Sequence, residues 1–417
     1  MSEPVERRRW TIAFLLGIGV LVNYFDRVNL SVSHDALVRE FGISDRMFGL
    51  LASAYNWTYA ACQLPSGMLL DRFGVRMVGC VSTLIWSIAS FAAAATRGMP
   101  GFFAARFLLG VGEAPTFPAN AKAIGYWFPP HERSFATSLF DSAAKLGSAI
   151  GVPLIGLLLL RIGWRMSFAA TGLVSFLYFL LFVVLYRDPK VRFSGNVAAA
   201  HHVTMGTVIK WLGHLVKQKK VVGLAIGFGS YNYVFYLFVT WMPVYIARSF
   251  NIDLAHAFLY TGVPWLIAAA ADLFVGGWLV DTLIRRGWNA DRVRRFVLIG
   301  GTAMGLGILG AGNAHTPAQA MFWVSVSIGG LSAAAPVGWS VPALIAPGDT
   351  VGSVGGIMNL SNQVSGIVAP IVTGFLVNGR QSFTGAFGVA AAYLAIGIAA
   401  YLLLLGEIRM IELPREA

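Results

Sequence analysis

The stretch GMLLDRFGVR, Gly67–Arg76, follows a long apolar segment and has a counterpart half a chain away. GGWLVDTLIRRG, Gly276–Gly287, repeats its glycine, its aliphatic residues and its acid, and it contains basic residues near its end as well. Asp71 and Asp281 are 210 residues apart in a chain of 417 residues. The repetition predicts a molecule built from two related halves.

The composition places these halves in a membrane. Apolar residues make up 57% of the chain and charged residues only 12%, whereas a soluble chain is about a quarter charged. Runs of about 20 apolar residues are long enough to cross the hydrocarbon core as helices. Because backbone groups must bond internally in lipid, such runs predict an all-α bundle. We predict twelve spans, at residues 10–33, 47–70, 77–95, 100–124, 134–160, 164–185, 221–247, 257–280, 296–312, 318–345, 351–377 and 384–405.

The longest polar interval separates six spans from six. We predict an N-terminal six-helix bundle over residues 1–186, a cytoplasmic central loop over 187–220, and a C-terminal six-helix bundle with a short tail over 221–417. The central interval contains HHVTMGTVIKWLGHLVKQKK, residues 201–220, which fits either a short basic helix on the inner membrane face or a solvated linker. Repeated halves of this kind are typical of secondary transporters.

The basic residues report the orientation of the chain in the membrane. Of the 31 Lys and Arg residues, the twelve-span topology with an inner N-terminus puts 20 on the inner side, 7 on the outer side and 4 within spans. This asymmetry follows the positive-inside rule and predicts an inner-membrane protein with both termini cytoplasmic. The net charge of +12 therefore predicts contact with anionic lipid headgroups rather than nucleic acid.

Seven ionisable residues fall deep inside the predicted spans. Each costs about 2.5–3.5 kcal/mol to insert, so each is a candidate functional group. Six of the seven lie in the first half, where we expect any coupling chemistry. They are Asp26, Arg27, Arg106, Glu113, Asp141, Lys145 and, in the second half, Asp272.

The heights of these residues in the membrane predict their partners. Arg106 and Glu113 are seven residues apart, about 10.5 Å along one helix, and do not easily pair with each other. Asp26 and Arg106 both fall in the outer half, so we expect an ion pair between them. Glu113 is deeper and has no obvious base, which favours proton uptake because burial disfavours its charged form. Structural ion pairs that hold the helices in register are the alternative interpretation.

Asp141 and Lys145 are four residues apart with the acid first, which favours a pair within one helix turn. They either neutralise each other or leave Lys145 to face a cavity.

The repeated stretches at 67–76 and 276–287, which we call the loop signature, have a physical interpretation too. Close helix packing at Gly67 and an acid that caps a neighbouring helix would together form a conformational latch. An ordinary tight turn is the alternative.

The sequence argues against an enzyme. It has no HExxH pair, no cysteine cluster, no GxSxG elbow and no phosphate-binding loop, and Cys62 and Cys80 both fall within spans. We therefore expect no metal and no cofactor, with transport driven by an ion gradient. Twelve spans suffice for a monomer.

Four stretches carry a resemblance that covers nearly the whole chain. They are NYFDRVNLS at 23–31, SAYNWTYAACQLPSGMLLDRFG at 53–74, RFLLGVGEAPTFPANAKAIGYWFPPHER at 106–133 and GSVGGIMNLSNQVSGIVAPIVTGFLV at 352–377. They resemble the anion:cation symporter family of the major facilitator superfamily, in its bacterial branch of sugar-acid carriers. The resemblance implies alternating access and import of galactonate, glucarate or hexuronate with protons.

The resemblance also implies site residues. Asp26 and Glu113 would form the proton-coupling pair, Arg106 would pair with the acid, and Arg27 would hold the substrate carboxylate. The remaining implied positions are Tyr24, Tyr59, Lys145, Trp339 and Asn359 at the substrate site, and Asp71, Arg72 and Asp281 in the gating loops. The second loop copy departs from the signature, with Thr282 after the acid.

Three positions depart from the sugar-acid pattern. Ala144 replaces a span-five glutamine, and Pro336 and Gly338 replace polar residues of span ten. The lost groups recognise sugar hydroxyls, so a dicarboxylate or an aromatic acid such as phthalate is the alternative substrate. An exporter of hydrophobic compounds and a membrane sensor that binds an anion without moving it are further alternatives. Buried cations disfavour the exporter.

Overall fold

The structure is a computed structural model that describes residues 3–129, 133–189, 215–346, 351–379 and 382–411. Every regular element in these ranges is helical. Most of the basic segment predicted at 201–220 lies outside the described residues.

Six helices cover the first half of the chain. Two of them contain two spans each, because the chain turns inside the helix at a glycine: Gly74 has φ 78° and Gly163 has φ 79°, which side chains other than glycine rarely adopt. The helices are α1 (Glu3–Val32), α2 (His34–Phe41), α3 (Asp45–Ala95), α4 (Met99–Glu113), α5 (Thr116–Trp127) and α6 (Arg133–Leu185).

The second half has the remaining helices, several of them irregular. A π-helical segment, Ala271–Leu279, joins α8 to α9, a 3₁₀ turn, Gly305–Gly307, joins α10 to α11, and a second π-helical segment, Tyr401–Leu405, ends α14. The helices are α7 (Lys219–Phe250), α8 (Leu254–Ala270), α9 (Val280–Arg285), α10 (Ala290–Met304), α11 (Ile308–Gly312), α12 (Pro317–Ile345), α13 (Val351–Val377) and α14 (Thr384–Ala400).

The predicted twelve spans are confirmed. Nine helical stretches among the described residues are long and apolar enough to cross a membrane, and one of them, Ala136–Leu185, covers two spans. The other two spans are the first part of α3 and the pair α4–α5. The latter span is divided at Pro115, whose ring removes a backbone donor.

Chain contacts group the residues into two compact units. The first contains Met1–Gly195, Leu237–Leu266 and Ile367–Phe383, and the second contains Asn196–Tyr236, Ile267–Gly366 and Thr384–Ala417. Segments of α7, α8 and α13 therefore pack with the first six spans. The sequence boundaries at 1–186, 187–220 and 221–417 follow the order of spans along the chain and stay a prediction.

Close packing of α4 against α3 positions the ionisable residues of the first unit. A Cβ at Gly112 would lie 2.7 Å from the backbone nitrogen of Trp86, and one at Gly110 would overlap the Tyr55 carbonyl oxygen. Small residues let helix backbones approach closely in membranes. The GVGE stretch thus packs the end of α4, where Glu113 lies, against both parts of α3, near Tyr55 and Trp86.

The loop signature differs from its prediction at Gly67. A Cβ there would meet nothing within 4 Å among the described residues, so the predicted close packing at Gly67 is wrong. The constrained glycine is Gly74, where the chain turns. The Arg76 backbone N–H donates to Asp188 Oδ2 at 3.4 Å. Asp188, which follows α6, therefore serves as the acid that caps the second part of α3.

The three gating residues stay a prediction. Asp71 lies within α3, and its side chain is outside the described part of the structure. Arg72 is exposed, with its guanidinium 5.2 Å from the Phe73 ring. Asp281 is exposed, and its carbonyl oxygen accepts from Arg285 Nε at 3.3 Å.

A cluster of charged residues joins α7 to the α2–α3 corner within the first unit. Arg248 donates to both Asp45 oxygens at 2.9 Å, and the buried His34 has Nε2 3.0 Å from Asp45 Oδ1 and Nδ1 2.6 Å from Asp35 Oδ1. Burial raises the pKa of Asp45, but hydrogen bonds from His34 and Arg248 outweigh it and lower that pKa to about 2. The cluster ties an end of α7 to the first half of the chain.

Candidate functional site

A buried ion pair joins α1 to α4. Arg27 Nε donates to Glu113 Oε2 at 3.0 Å, and the two residues are 7% and 0% exposed. Glu113 is the last residue of α4, next to the break at Pro115. The two candidates are thus brought together, and Glu113 has the base that its sequence position did not reveal.

Tyrosine rings surround the Arg27 guanidinium. Its Cζ lies 4.7 Å from the Tyr24 ring, 4.8 Å from the Tyr55 ring and 5.5 Å from the Tyr59 ring. Ring faces attract a cation, by up to about 2 kcal/mol each when water is excluded. The geometry brings Tyr24 and Tyr59 to Arg27. Sequence reasoning missed Tyr55, although its four-residue spacing from Tyr59 on one helix face was a signal.

Asp26 points away from Arg27 and is held by hydroxyl groups. Ser90 of α3 and Ser175 of α6 each donate to one of its oxygens at 2.8 Å, and Asp26 is 1% exposed. Consecutive helical residues point about 100° apart. The predicted direct ion pair between Asp26 and Arg106 is not formed among the described residues, because serine hydroxyls bond both Asp26 oxygens and the two charges interact only at longer range. Serines are too common in spans to have been singled out.

Arg106 lies near the same tyrosine as Arg27. It is 4% exposed, and its Cζ is 5.4 Å from the Tyr55 ring. Within the described residues, Nε and Nη1 of Arg106 have no hydrogen-bond partner. The site therefore contains two guanidinium groups near one ring, and within the part of the chain that the structure describes only Arg27 forms an ion pair with an acid.

Lys145 and Asp141 form the pair within one helix turn that their spacing predicts. Lys145 Nζ donates to Asp141 Oδ2 at 2.7 Å, and Lys145 is 3% exposed. The first interpretation, that the two neutralise each other, is the one this contact favours.

Trp339 and Asn359 belong to the second unit. The Trp339 ring packs edge-on against Phe228 at 5.2 Å and is 44% exposed, and Asn359 is half-buried. Their assignment to the substrate site stays a prediction. Asp272 is fully buried in the π-helical segment.

The described residues contain no group of three or more His, Cys, Asp or Glu side chains placed to hold a metal ion. Cys62 and Cys80 are free thiols.

Comparisons with known proteins place the chain in a family. Residues 16–290 match the model of the Major Facilitator Superfamily. The chain is 38% identical to the uncharacterised transporter YybO of Bacillus subtilis, over 99% of this chain and 98% of that one. It is 29% identical to a D-galactonate transporter of Escherichia coli, over 99% of this chain and 100% of that one. It is 31% identical to the probable sulfoacetate transporter SauU of Cupriavidus necator, over 95% of both chains.

A solved structure shares the fold. A bacterial homologue of the human lysosomal transporter Spinster superposes with a TM-score of 0.77 at 16% identity, over 97% of each chain. The fold is thus the major facilitator fold of twelve transmembrane helices in two repeated halves, and the resemblance to sugar-acid carriers is confirmed. The chain belongs to the Major Facilitator Superfamily and is a multi-pass secondary transporter, not an enzyme.

Proposed function

We propose that this transporter imports an organic anion together with protons. The observation that carries the proposal is the buried ion pair between Arg27 and Glu113. A sugar acid such as galactonate, glucarate or hexuronate is the proposed substrate, and the full-length similarity to a D-galactonate transporter supports it.

The ion pair supplies a physical basis for coupling. Each partner of a buried pair is costly to leave alone, so the charges must be matched in every state. A proton on Glu113 removes its charge and releases Arg27. The planar guanidinium group of Arg27 can then donate two parallel hydrogen bonds to a substrate carboxylate. Proton binding and anion binding then favour each other, and by thermodynamic linkage the effect is reciprocal. Asp26 is the second proposed proton site.

The transport cycle follows from this linkage. Protonation of Glu113 on the outer side admits the anion at Arg27, with Tyr24 and Tyr59 beside it. The halves then alternate access, and deprotonation at the higher cytoplasmic pH restores the ion pair and expels the anion. The proposed setting is the inner membrane with both termini cytoplasmic. A monomer with protons as coupling ion and no cofactor suffices.

A dicarboxylate or an aromatic acid such as phthalate is the second candidate substrate. Ala144, Pro336 and Gly338 offer no hydroxyl-directed side chains. The similarity to a probable sulfoacetate transporter also favours a substrate without hydroxyl groups. Export of hydrophobic compounds is less favoured, because Arg27, Arg106 and Lys145 are buried cations.

The test separates coupling from transport. Glu113→Gln keeps the shape of the side chain but cannot ionise. In proteoliposomes we expect this variant to exchange the anion between equal pools and to lose accumulation driven by an imposed pH gradient. Accumulation at the wild-type level would exclude Glu113 from coupling. Glu40→Gln, which alters a half-exposed acid bound to Arg165, is the control and should accumulate normally.

A further inference from the structure

Arg106 is a buried cation, and the described residues leave two of its three guanidinium nitrogens without a hydrogen bond. It is 4% exposed, and among the described residues its Nε and Nη1 have no hydrogen-bond partner. More than nine in ten buried polar groups in proteins are bonded. A guanidinium without acceptors costs more than a neutral group. Arg106 is therefore well suited to an acceptor that the chain does not itself supply.

The nearby acids bond elsewhere. Asp26 accepts from Ser90 and Ser175, and Glu113 accepts from Arg27 through Oε2. Seven residues of helix, about 10.5 Å along the axis, separate Arg106 from Glu113. Among the described residues neither acid forms a direct ion pair with Arg106, although both interact with it electrostatically, Glu113 most strongly.

Arg106 and Arg27 both lie close to one ring, that of Tyr55. Their Cζ atoms lie 5.4 Å and 4.8 Å from the centre of the Tyr55 ring. Two planar forks around one ring can bind two carboxylate or sulfonate groups of one small molecule. We propose that Arg27 and Arg106 bind the two anionic groups of a dianion, which makes Arg106 the residue that selects dianions over monoanions. This inference rests on the proposed function and names its substrate class.

The charges of the first unit fit a dianion. The ionisable residues deep in its spans are three cations and three acids. The pairs Asp141–Lys145 and Arg27–Glu113 neutralise each other, and Asp26 balances Arg106 from a distance. A proton on Glu113 allows one negative charge to enter, and a proton on Asp26 allows a second. Once both acids are protonated, a monoanion would leave one of the two guanidinium groups buried without a counter-charge, which is unfavourable.

The test compares matched pairs of anions that differ in one charge. Galactarate and galactonate share a sugar skeleton, and phthalate and phthalamate share an aromatic one. Calorimetry on the purified full-length protein at pH 6.5, where both dicarboxylates are mainly doubly ionised, measures the four affinities. We expect the wild-type protein to bind each dianion about tenfold more tightly than its monoanion partner, which corresponds to one charge-assisted bond. Arg106→Gln should reduce this ratio to about one.

Two controls make the comparison specific. Arg39→Gln removes an exposed arginine and should keep the wild-type ratio. Arg106→Lys retains the charge but lacks the planar guanidinium group, and it should give an intermediate ratio of dianion to monoanion affinity. Equal wild-type affinities within both pairs, or an unchanged ratio in Arg106→Gln, would overturn the proposal.

Uptake measurements separate this inference from the proposed function. If a pH gradient drives uptake of these anions but the ratio does not depend on Arg106, the dianion proposal alone fails. If a pH gradient drives uptake of none of the four, the proposed function fails and the dianion proposal fails with it. For a dianion that enters with two protons, uptake should also be insensitive to an imposed membrane potential.

Discussion

Arg27 contacts both an acid and an aromatic surface, so its removal has two separable effects. Arg27→Met leaves Glu113 buried without a counter-charge, which costs about 3–5 kcal/mol of stability. Adding Glu113→Gln removes the stranded charge, so the double variant should recover most of the loss. Neither variant should bind a carboxylate. Thermal unfolding in detergent and calorimetry measure the two effects.

The double variant is its own control for folding. If it is stable and still binds galactonate or phthalate with wild-type affinity, Arg27 is not the carboxylate-binding residue. If Arg27→Met is as stable as the wild type, the ion pair contributes nothing to the fold.

At the scale of elements, the turn between spans two and three depends on Gly74 and not on Gly67. Gly74 has φ 78°, and a Cβ there would lie 3.0 Å from Asp188 Oδ2, whereas a Cβ at Gly67 meets nothing within 4 Å. The Gly74 backbone, with φ 78° and ψ 172°, lies in a region restricted almost entirely to glycine, where a residue with a side chain costs about 1–3 kcal/mol. We expect Gly74→Ala to lower the apparent melting temperature by several degrees and Gly67→Ala to leave it unchanged. Equal effects of both would contradict this assignment.

At the scale of the whole molecule, the contact between Arg248 and Asp45 is the clearest link between sequence-distant halves within the first unit. The folded pKa of Asp45, about 2, is below the value of about 3.9 expected in an unfolded chain. The contribution of this contact is therefore fully present above about pH 4 and is lost as the pH falls towards 2. Its size is roughly 2 kcal/mol.

This predicts a pH profile. The apparent melting temperature of the wild type should fall between pH 4.5 and 2.5 more steeply than that of Asp45→Asn, which should already be lower at pH 6. Asp291→Asn is the control, because Asp291 is part-exposed and 3.8 Å from Arg295. Parallel profiles for the wild type and Asp45→Asn would show that the contact does not stabilise the fold.

The sequence by itself determined the membrane fold, because span length and apolar content depend only on composition along the chain. It also identified Arg27, Arg106 and Glu113, because any charge in an apolar run stands out. The partner of each charge was decided only by tertiary structure. Asp26 and Arg27 point about 100° apart on α1, so Asp26 meets two serines and Arg27 meets Glu113. Which neighbour each side chain faces depends on the rotation of the helix about its axis, and spacing within one helix does not determine that rotation. The contact between Asp45 and Arg248 likewise depends on which helices pack together. Charged residues at the ends of helices are common, so the sequence did not predict this contact.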